Sequence, residues 1–250
     1  MILITGDTHG DRNRFALLKA YGEPEWTAED SLFVGGNFGY FFLNNRYEND
    51  FLDALAKKPY TICFIDGNYE IFPAIYRCPT EVWNREKVHC LRENIVHLMR
   101  GQVFTVGGTS FFTMGGAYSI DRYVRQEGFS WWEEELPDDA EYKEAAANLQ
   151  AQQFRVDYIL SHTAPREIIR RMGHTPDAHD MELTGFLEWV TYETQFKEWF
   201  SGHWHVDQQI TEQLSAQYFD AVKTRNQQRT GGTVCWTMNA RSYTLQKASI

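Results

Sequence analysis

The sequence predicts a layered α/β protein, and three features of the chain support this. Short apolar runs end abruptly at glycine or at polar clusters, as buried strands do. Helix-like stretches at residues 12–21 and 50–57 lie between some of these runs. Strands that alternate with helices at this spacing are typical of layered α/β folds. The apolar runs cover residues 1–5, 32–34, 61–65, 111–114, 158–160 and 199–200.

The first apolar run, MILIT, ends at Gly6 and opens the polar stretch GDTHGD. Alternate residues of an extended chain face the same way, so Asp7 and His9 present a carboxylate and an imidazole side by side. Asp11 follows closely and is expected to cap or orient the next turn instead of binding a ligand. The pair of Asp7 and His9 supplies half of a candidate metal site.

The later elements complete a single predicted domain. The segments at residues 102–106 and 110–114 are close enough in sequence to form a hairpin. Residues 233–245 alternate between apolar and polar side chains, which predicts terminal strands. Two polar segments, residues 121–141 and 170–182, are expected to lie as insertions over the face where the strands end. We predict one domain over residues 1–250, with the part after residue 220 or so as a C-terminal extension.

The charge and cysteine content argue against several classes of function. The chain has 34 acidic and 24 basic residues, a formal net charge of −10 and a pI near 5.3. This balance opposes a broad electrostatic grip on extended nucleic acid or on an anionic membrane surface. No apolar stretch approaches the ~20 residues of a transmembrane helix. The four cysteines form no CxxC pair and no secretory leader precedes the first strand, so we expect reduced thiols and a cytoplasmic location.

Groups able to bind a metal follow five of the apolar runs, often after a glycine that permits a tight turn. In open α/β sheets, ligand sites gather outside the carboxyl ends of the strands, so positions scattered in the sequence can converge. One motif of this length is weak evidence, whereas five in order are strong evidence. The five clusters are Gly6-Asp7-Thr8-His9, Gly36-Asn37-Phe38-Gly39, Gly67-Asn68-Tyr69-Glu70, Ser161-His162-Thr163 and Gly202-His203-Trp204-His205.

The series DTH, GNFG, GNYE, SHT and GHWH resembles the calcineurin-like metallophosphoesterases, whose pattern runs D-x-H, GD, GNH-E, H and GH-x-H. The match covers roughly residues 1–220 by order and spacing, and the intervening sequence resembles a bacterial or phage subgroup. The resemblance implies a four-layer α/β/β/α sandwich with two mixed sheets and a two-metal centre at the strand ends. It also implies a metal-dependent hydrolase, a phosphatase or phosphodiesterase, in which metal-bound water attacks phosphorus.

Carried over position by position, the resemblance assigns seven metal ligands. Their carboxylate and amide oxygens and neutral imidazoles suit manganese, iron or zinc. Two such ions at about 3.5–4 Å can activate a water and neutralise a phosphate during in-line attack. The first site is expected to comprise Asp7, His9 and His205, and the second Asn68, His162 and His203, with Asn37 at the bridging position.

The sequence departs from the family pattern at two of the most informative positions. Asn37 replaces the bridging aspartate, and an amide offers one good oxygen and no charge where a carboxylate offers two oxygens and a negative charge. Repulsion between two dications is then less compensated, so we predict a weaker second metal or one metal only. Tyr69 replaces a histidine that acts as proton donor or charge stabiliser. A phenol can still donate a hydrogen bond, and Asn68 and Tyr69 are the candidate catalytic residues.

Substrate binding is assigned to Asn68 and to two arginines of the first insertion. Arg122 and Arg125 can hold phosphate oxygens through forked guanidinium contacts. Pairing of these arginines with Glu127 or with the glutamates at 133–135 is an equally open interpretation. We expect a small phosphorylated substrate, with nucleotides compatible, and neither extended nucleic acid nor a membrane as partner.

Two functional hypotheses follow from the departures. The first is a metal-dependent phosphoesterase that hydrolyses a phosphomonoester or phosphodiester and is weakened by Asn37 and Tyr69. The second is a catalytically impaired family member that binds a phosphorylated ligand without turnover. Natural divergence and engineered substitution are equally compatible with both hypotheses.

Overall fold

The computed structural model of the protein describes residues 1–224 of the 250-residue chain. Its strands are β1 (Ile2–Thr5), β2 (Ser31–Val34), β3 (Thr61–Phe64), β4 (Thr80–Trp83), β5 (Glu86–Arg92), β6 (Ile95–Leu98), β7 (Val103–Val106), β8 (Thr109–Met114), β9 (Tyr158–Ser161), β10 (Glu198–Ser201), β11 (Gln208–Gln209), β12 (Leu214–Ala216) and β13 (Ala221–Lys223). Its α-helices are α1 (Asn13–Leu17), α2 (Arg46–Leu55), α3 (Phe72–Ile75), α4 (Asp139–Ala151), α5 (Arg166–Arg171) and α6 (Met181–Glu193). Short 3₁₀ helices cover Leu18–Tyr21, Glu23–Glu25, Arg122–Val124 and Glu133–Glu135.

The strands form two mixed sheets. The first has the order β13-β1-β2-β3-β6-β5-β4, in which β1, β2, β3 and β6 are parallel, β13 pairs antiparallel with β1, and β5 pairs antiparallel with both β6 and β4. The second has the order β11-β12-β10-β9-β8-β7, with β12, β10, β9 and β8 parallel. The predicted hairpin is present as β7 and β8, whose register pairs Val103 with Phe112.

The core is divided into three apolar layers because the central strands bury both of their faces. Ile4 of β1 packs between the two sheets, whereas its neighbour Leu3 packs in a separate cluster with Leu52 of α2. In β9, Leu160 joins the layer between the sheets, and Ile159 packs with residues of α4, α5 and α6. Strands buried on both faces read as continuous apolar runs, as these do. The layers confirm the predicted α/β/β/α sandwich with two mixed sheets.

All six apolar runs contain strands at or close to the predicted positions. The antiparallel strands β4 and β5 were missed because exposed and half-buried polar side chains interrupt them, as the sequence EKVHCLR of β5 shows. The strands predicted at residues 233–245 lie outside the described residues. Within residues 1–224, none of the helices combines the length and apolarity that a bilayer crossing requires.

The helix predictions were correct in position but not in extent. The helix predicted at residues 12–21 is an α-helix only as far as Leu17, and it continues as a 3₁₀ helix. The helix predicted at residues 50–57 begins earlier, because Asn45 caps α2 by accepting the N–H of Glu48 at 2.9 Å. A capped start of this kind fixes where the helix begins more firmly than apolar periodicity does.

The N-terminus of α4 is stabilised by a capping box that can be tested directly. The Asp138 carboxylate accepts the N–H groups of Ala140 and Glu141, both at 2.8 Å, and Glu141 accepts the Asp138 N–H at 2.9 Å. We expect Asp138→Ala to lower the free energy of unfolding by about 1 kcal/mol in urea denaturation, because two backbone donors lose their acceptor. Asp139→Ala is the matched control, since Asp139 makes only an exposed ion pair with Lys143. An equal loss in both variants would contradict the capping role.

Candidate metal centre

The carboxyl ends of five parallel strands meet at one edge of the sandwich. Strands β1, β2 and β3 come from the first sheet, and β9 and β10 come from the second. All seven predicted ligands lie here, and polar contacts of 3.4 Å or shorter connect them to one another. The structure therefore brings together Asp7, His9, Asn37, Asn68, His162, His203 and His205.

Three of these groups converge on one point. The Nε2 atoms of His9 and His205 are 2.9 Å apart, and they lie 3.4 and 3.3 Å from Asp7 Oδ2, respectively. Ligands at about 2.1 Å from one ion in tetrahedral or octahedral geometry lie about 3.0–3.4 Å from each other. The separations of the three atoms fit a single shared cation. Within residues 1–224, this trio is the one group of at least three His, Cys, Asp or Glu side chains that lie close enough together to hold a metal ion.

Two hydrogen-bond acceptors, one from His162 and one from Asn68, face each other in the buried part of the site. His162 Nδ1 lies 2.8 Å from the Gly35 carbonyl oxygen, which can only accept, so this nitrogen carries the proton. Burial lowers the pKa of His162, which keeps the imidazole neutral and leaves a lone pair on Nε2. That lone pair lies 3.2 Å from Asn68 Oδ1, another acceptor. Two lone pairs at this separation are reconciled by a cation between them.

The charge of Asp7 is stabilised although its side chain is fully buried. Burial, the largest influence, raises the pKa of Asp7, but surrounding groups outweigh it and hold the pKa well below its usual range. The backbone N–H of His203 donates to Asp7 Oδ1 at 2.8 Å. Burial lowers the pKa of the His203 imidazole itself to about 3, so it is neutral and competent as a ligand. The other groups that stabilise the Asp7 carboxylate are His162, His205 and His9.

The Asn37 amide is oriented by the backbone of the next strand end. Its Oδ1 accepts the N–H of Tyr69 at 2.8 Å, which places the amide nitrogen on the other side. This nitrogen donates to Asp7 Oδ2 at 3.0 Å and to Asn68 Oδ1 at 3.3 Å. A donor therefore faces the point where a bridging aspartate would present an acceptor. Rotating the amide to offer its oxygen there would break the bond from Tyr69.

The orientation of Asn68 depends on a residue that the sequence did not single out. Asn68 Nδ2 donates to Ser119 Oγ at 3.0 Å, which turns Oδ1 toward His162. Ser119 is itself held by Arg125, whose guanidinium donates to the same hydroxyl at 2.9 Å. Arg125 thus acts on the metal centre through two intervening side chains. No local sequence signal marks Ser119, because its role arises only from tertiary contact.

The Tyr69 hydroxyl is committed to a carboxylate outside the predicted set. It donates to Asp121 Oδ2 at 2.9 Å, and the Tyr69 ring lies edge-on to His9 with ring centroids 5.6 Å apart. Arg125 stacks over the Tyr69 ring at 3.6 Å and pairs with Asp121 at 3.1 Å. Tyr69 therefore lines the site with its ring, while its proton points toward Asp121.

The two predicted substrate arginines are both paired with acids. Arg122 donates to the buried Glu135 carboxylate at 3.1 Å, which is the pairing that the sequence left open. The Arg122 guanidinium also lies between two rings, 4.0 Å from Trp131 and 4.3 Å from Tyr118. Arg125 is 3.8 Å from Glu135 at its closest approach, and its Nη2 is buried without a hydrogen-bond partner in the described chain. Contact of either arginine with a substrate stays a prediction.

Left-handed backbone conformations concentrate at the site. L-residues rarely adopt a φ in this region, and each such residue costs on the order of 1–3 kcal/mol unless its surroundings compensate. Strain of this kind clusters where function fixes side-chain positions. Four of the seven candidate ligands have it: His9 (φ 47°), Asn37 (46°), His203 (69°) and His205 (52°).

Glycines flank the ligands because the ligands leave no room for a side chain. A Cβ on Gly67 would lie 2.2 Å from Asn37 Oδ1 and 2.7 Å from His162 Nε2. A Cβ on Gly202 would lie 2.3 Å from Asp7 Oδ1. These glycines permit tight turns, as the sequence predicts, but close approach of the neighbouring side chains is the stronger requirement.

Comparison with known proteins identifies the family to which this arrangement belongs. The sequence model of the calcineurin-like phosphoesterases matches residues 1–207, well over half of the chain. No curated protein matches the chain at a significant level. The family generally binds two divalent metal ions, and residues 1–224 contain one group of Asp and His side chains at metal-binding spacing, Asp7, His9 and His205. The chain belongs to the calcineurin-like phosphoesterase family, whose members are metal-dependent hydrolases of phosphate esters.

Proposed function

We propose that this chain hydrolyses a small phosphomonoester or phosphodiester with the help of divalent metal ions, at a rate reduced by Asn37 and Tyr69. The observation that supports this most strongly is the 3.2 Å contact between two acceptors, His162 Nε2 and Asn68 Oδ1. Acceptors that face each other in a buried site are costly unless a cation joins them. Both residues lie in the part of the chain that matches the calcineurin-like phosphoesterase family.

The proposed metal positions follow the two groups of donors. The first comprises Asp7, His9 and His205, and the second comprises Asn68, His162 and His203. When bound, the ions polarise the phosphate and activate a water for in-line attack. The chain orients the donors: the Gly35 carbonyl fixes the His162 tautomer, as outer partners of metal-binding histidines commonly do.

The two positions are proposed to differ in affinity because of Asn37. Its amide nitrogen already cross-links Asp7 and Asn68, one donor from each group. A second ion that sought an oxygen from Asn37 would need the amide to rotate away from the Tyr69 N–H. The missing negative charge also leaves repulsion between two dications less compensated. Manganese, iron and zinc all suit the donors, and one well-occupied ion is the expected state.

Tyr69 is proposed to take part in catalysis only weakly. Its hydroxyl proton lies on the bond to Asp121, so donation to a leaving group requires that this bond be exchanged. Asn68 lies among the candidate ligands, with Oδ1 next to His162 Nε2. We propose that it binds and orients the phosphate through Nδ2, its one side-chain donor, which now donates to Ser119 Oγ.

The proposed substrate is small and phosphorylated, with nucleotides compatible. The net charge of −10 opposes extended nucleic acid, which is a polyanion. Aromatic faces near the site, such as Trp131 under Arg122, are able to stack on a base or another ring. Arg125 Nη2, buried and without a hydrogen-bond partner in the described residues, is the proposed additional contact for a phosphate oxygen.

The alternative function is binding of a phosphorylated ligand without turnover. The observation that favours it is the double departure seen in the hydrogen bonds: Asn37 presents a donor to the bridging point, and the Tyr69 proton is held by Asp121. Both changes weaken hydrolysis more than they weaken binding. Metal content and turnover measured on the same sample separate the two functions.

The first prediction concerns the first metal position. We expect His205→Gln to weaken manganese binding by about tenfold or more in calorimetric titration, because one of three converging donors is lost. His174→Gln is the control, since His174 is exposed and stacks on Trp204 outside this group. Equal manganese affinity in the two variants would show that the trio holds no ion.

The second prediction concerns the bridging position. We expect Asn37→Asp to raise bound manganese from about one to about two ions per chain in elemental analysis, because the carboxylate adds a charge and an acceptor. Asn84→Asp is the matched control, because Asn84 has a similar left-handed φ of 49° but lies in the turn between β4 and β5. The proposal of unequal affinity fails if the parent chain already binds two ions.

The third prediction concerns turnover of a generic aryl phosphate. We expect the double variant Asn37→Asp/Tyr69→His to exceed the parent rate by about 10² or more, because a positioned acid contributes 10²–10⁴. Asp7→Asn, which removes the buried carboxylate of the first group, should abolish turnover in both backgrounds. A double variant that binds two ions but gives no turnover would favour the ligand-binding alternative.

A further inference from the structure

A cavity lies at the carboxyl ends of β3 and β6, separate from the candidate metal ligands. Its volume is about 790 Å³, within the range of pockets that hold small organic molecules. None of the seven candidate metal ligands lines it. We call it the His89 cavity, and its wall includes Asp66, His89, His97, Arg100 and Trp132.

One wall of the His89 cavity carries a buried ion pair. Arg100 Nε donates to Asp66 Oδ2 at 2.8 Å, and Arg100 Nη1 donates to Glu141 at 2.9 Å. Arg100 Nη2 donates to Asp66 and, at 2.6 Å, to the Glu134 carbonyl oxygen. Every nitrogen of the guanidinium is therefore engaged. Four of its five N–H donors have acceptors among the described residues, and the charge of Asp66 is already compensated by Arg100.

A chain of two imidazoles leads from this ion pair to the cavity. His97 Nε2 donates to Asp66 Oδ1 at 3.0 Å. Because Arg100 already supplies the counter-charge of Asp66, the hydrogen-bond pattern assigns the proton of His97 to Nε2 and leaves Nδ1 as an acceptor. His89 Nδ1, which lies 3.0 Å away, then carries the proton of the bond between the rings. The remaining ring nitrogen, His89 Nε2, is left as an acceptor.

The His89 side chain is buried, and within residues 1–224 its Nε2 opens into the cavity without a hydrogen-bond partner. The His89 residue is only 6% exposed and forms part of the cavity wall. Burial, with His97 adding to it, lowers the pKa of His89 to about 4, so the ring is neutral at physiological pH. Among residues 1–224, no hydrogen-bond donor contacts Nε2. An acceptor that opens into a cavity is completed by a donor that enters the cavity.

The rim of the cavity is acidic. The lining includes Glu127, Glu133 and Glu134, which are exposed and whose carboxylates form no ion pair within the described chain. Arg100 is the one arginine or lysine in the lining, and it is neutralised as described. Trp132 adds an aromatic face of the kind that attracts cations. The charge of the rim and the chemistry of the wall both favour a positively charged occupant.

We propose that the His89 cavity binds an organic cation that carries N–H donors, a primary ammonium or a guanidinium group. An N–H of this group donates to His89 Nε2, and the positive charge faces the rim glutamates. A metal ion is disfavoured, because within residues 1–224 the set of three His and Asp donors at metal spacing is at Asp7, not in this cavity. The site is independent of the proposed hydrolysis.

The test uses side-chain nitrogen NMR on protein that has been freed of metal with EDTA. Agmatine is the probe, tetramethylammonium is a cation without N–H donors, and butyrate is an anion. We expect agmatine to shift the His89 Nε2 resonance saturably and the other two compounds to leave it unchanged. Equal shifts with tetramethylammonium, a preference for butyrate, no saturable shift with agmatine, or a proton on His89 Nε2 in the free protein would each overturn the proposal.

Two variants test agmatine binding, one at the buried His89 and one at exposed rim glutamates, so the test does not depend on whether the His89 variant folds. His89→Phe removes the acceptor and should abolish agmatine binding, but it also leaves His97 without its neighbour. Glu133→Gln/Glu134→Gln changes only exposed side chains, and loss of two charges near the ligand should weaken agmatine binding by about tenfold. Glu25→Gln/Glu29→Gln removes the same charge at exposed positions outside the cavity lining and is the matched control. Unchanged agmatine affinity in the rim variant would overturn the proposal.

Discussion

The buried carboxylate of Asp7 imposes the main constraint on the edge of the sandwich. A carboxylate without access to water stays ionised only where donors or cations surround it. Strand β1, which delivers Asp7, is buried on both faces and cannot shift to relieve this demand. The surrounding turns must therefore place their polar groups around Asp7. The backbone achieves this with left-handed conformations at His9, Asn37 and His203.

Asn37 changes how this demand is met. An aspartate at the same point would place a second negative charge beside Asp7, and the site would then depend on cations for its stability. The amide instead supplies a donor to Asp7 and to Asn68, so hydrogen bonds hold the two groups together. A site of this kind is organised in advance of ligand binding, but it gains less when a second cation arrives.

The sequence predicted the fold and the location of the candidate site because both depend on local patterns. Buried strands and the glycine-flanked polar residues after them are visible in one stretch of chain, as with Ile4 and Asp7. The ligand roles themselves stay predictions. The amide orientation of Asn37 and the support of Asn68 by Ser119 arise from contacts between distant segments. The bond from Tyr69 to Asp121 is of the same kind, because Asp121 lies in an irregular segment without periodicity.

The family match ends at residue 207, but the sandwich does not. Residues beyond it supply β12, which pairs with β10, and β13, which covers the open side of β1 with Leu3 opposite Lys223. The backbone oxygen of Gln217 also sits where a Cβ on Gly6 would lie. A fragment trimmed to the matched range would leave one edge of β1 and one edge of β10 unpaired, and open edges of this kind invite intermolecular strand pairing and aggregation. Expression boundaries for this protein therefore belong after residue 223, not at the limit of family similarity.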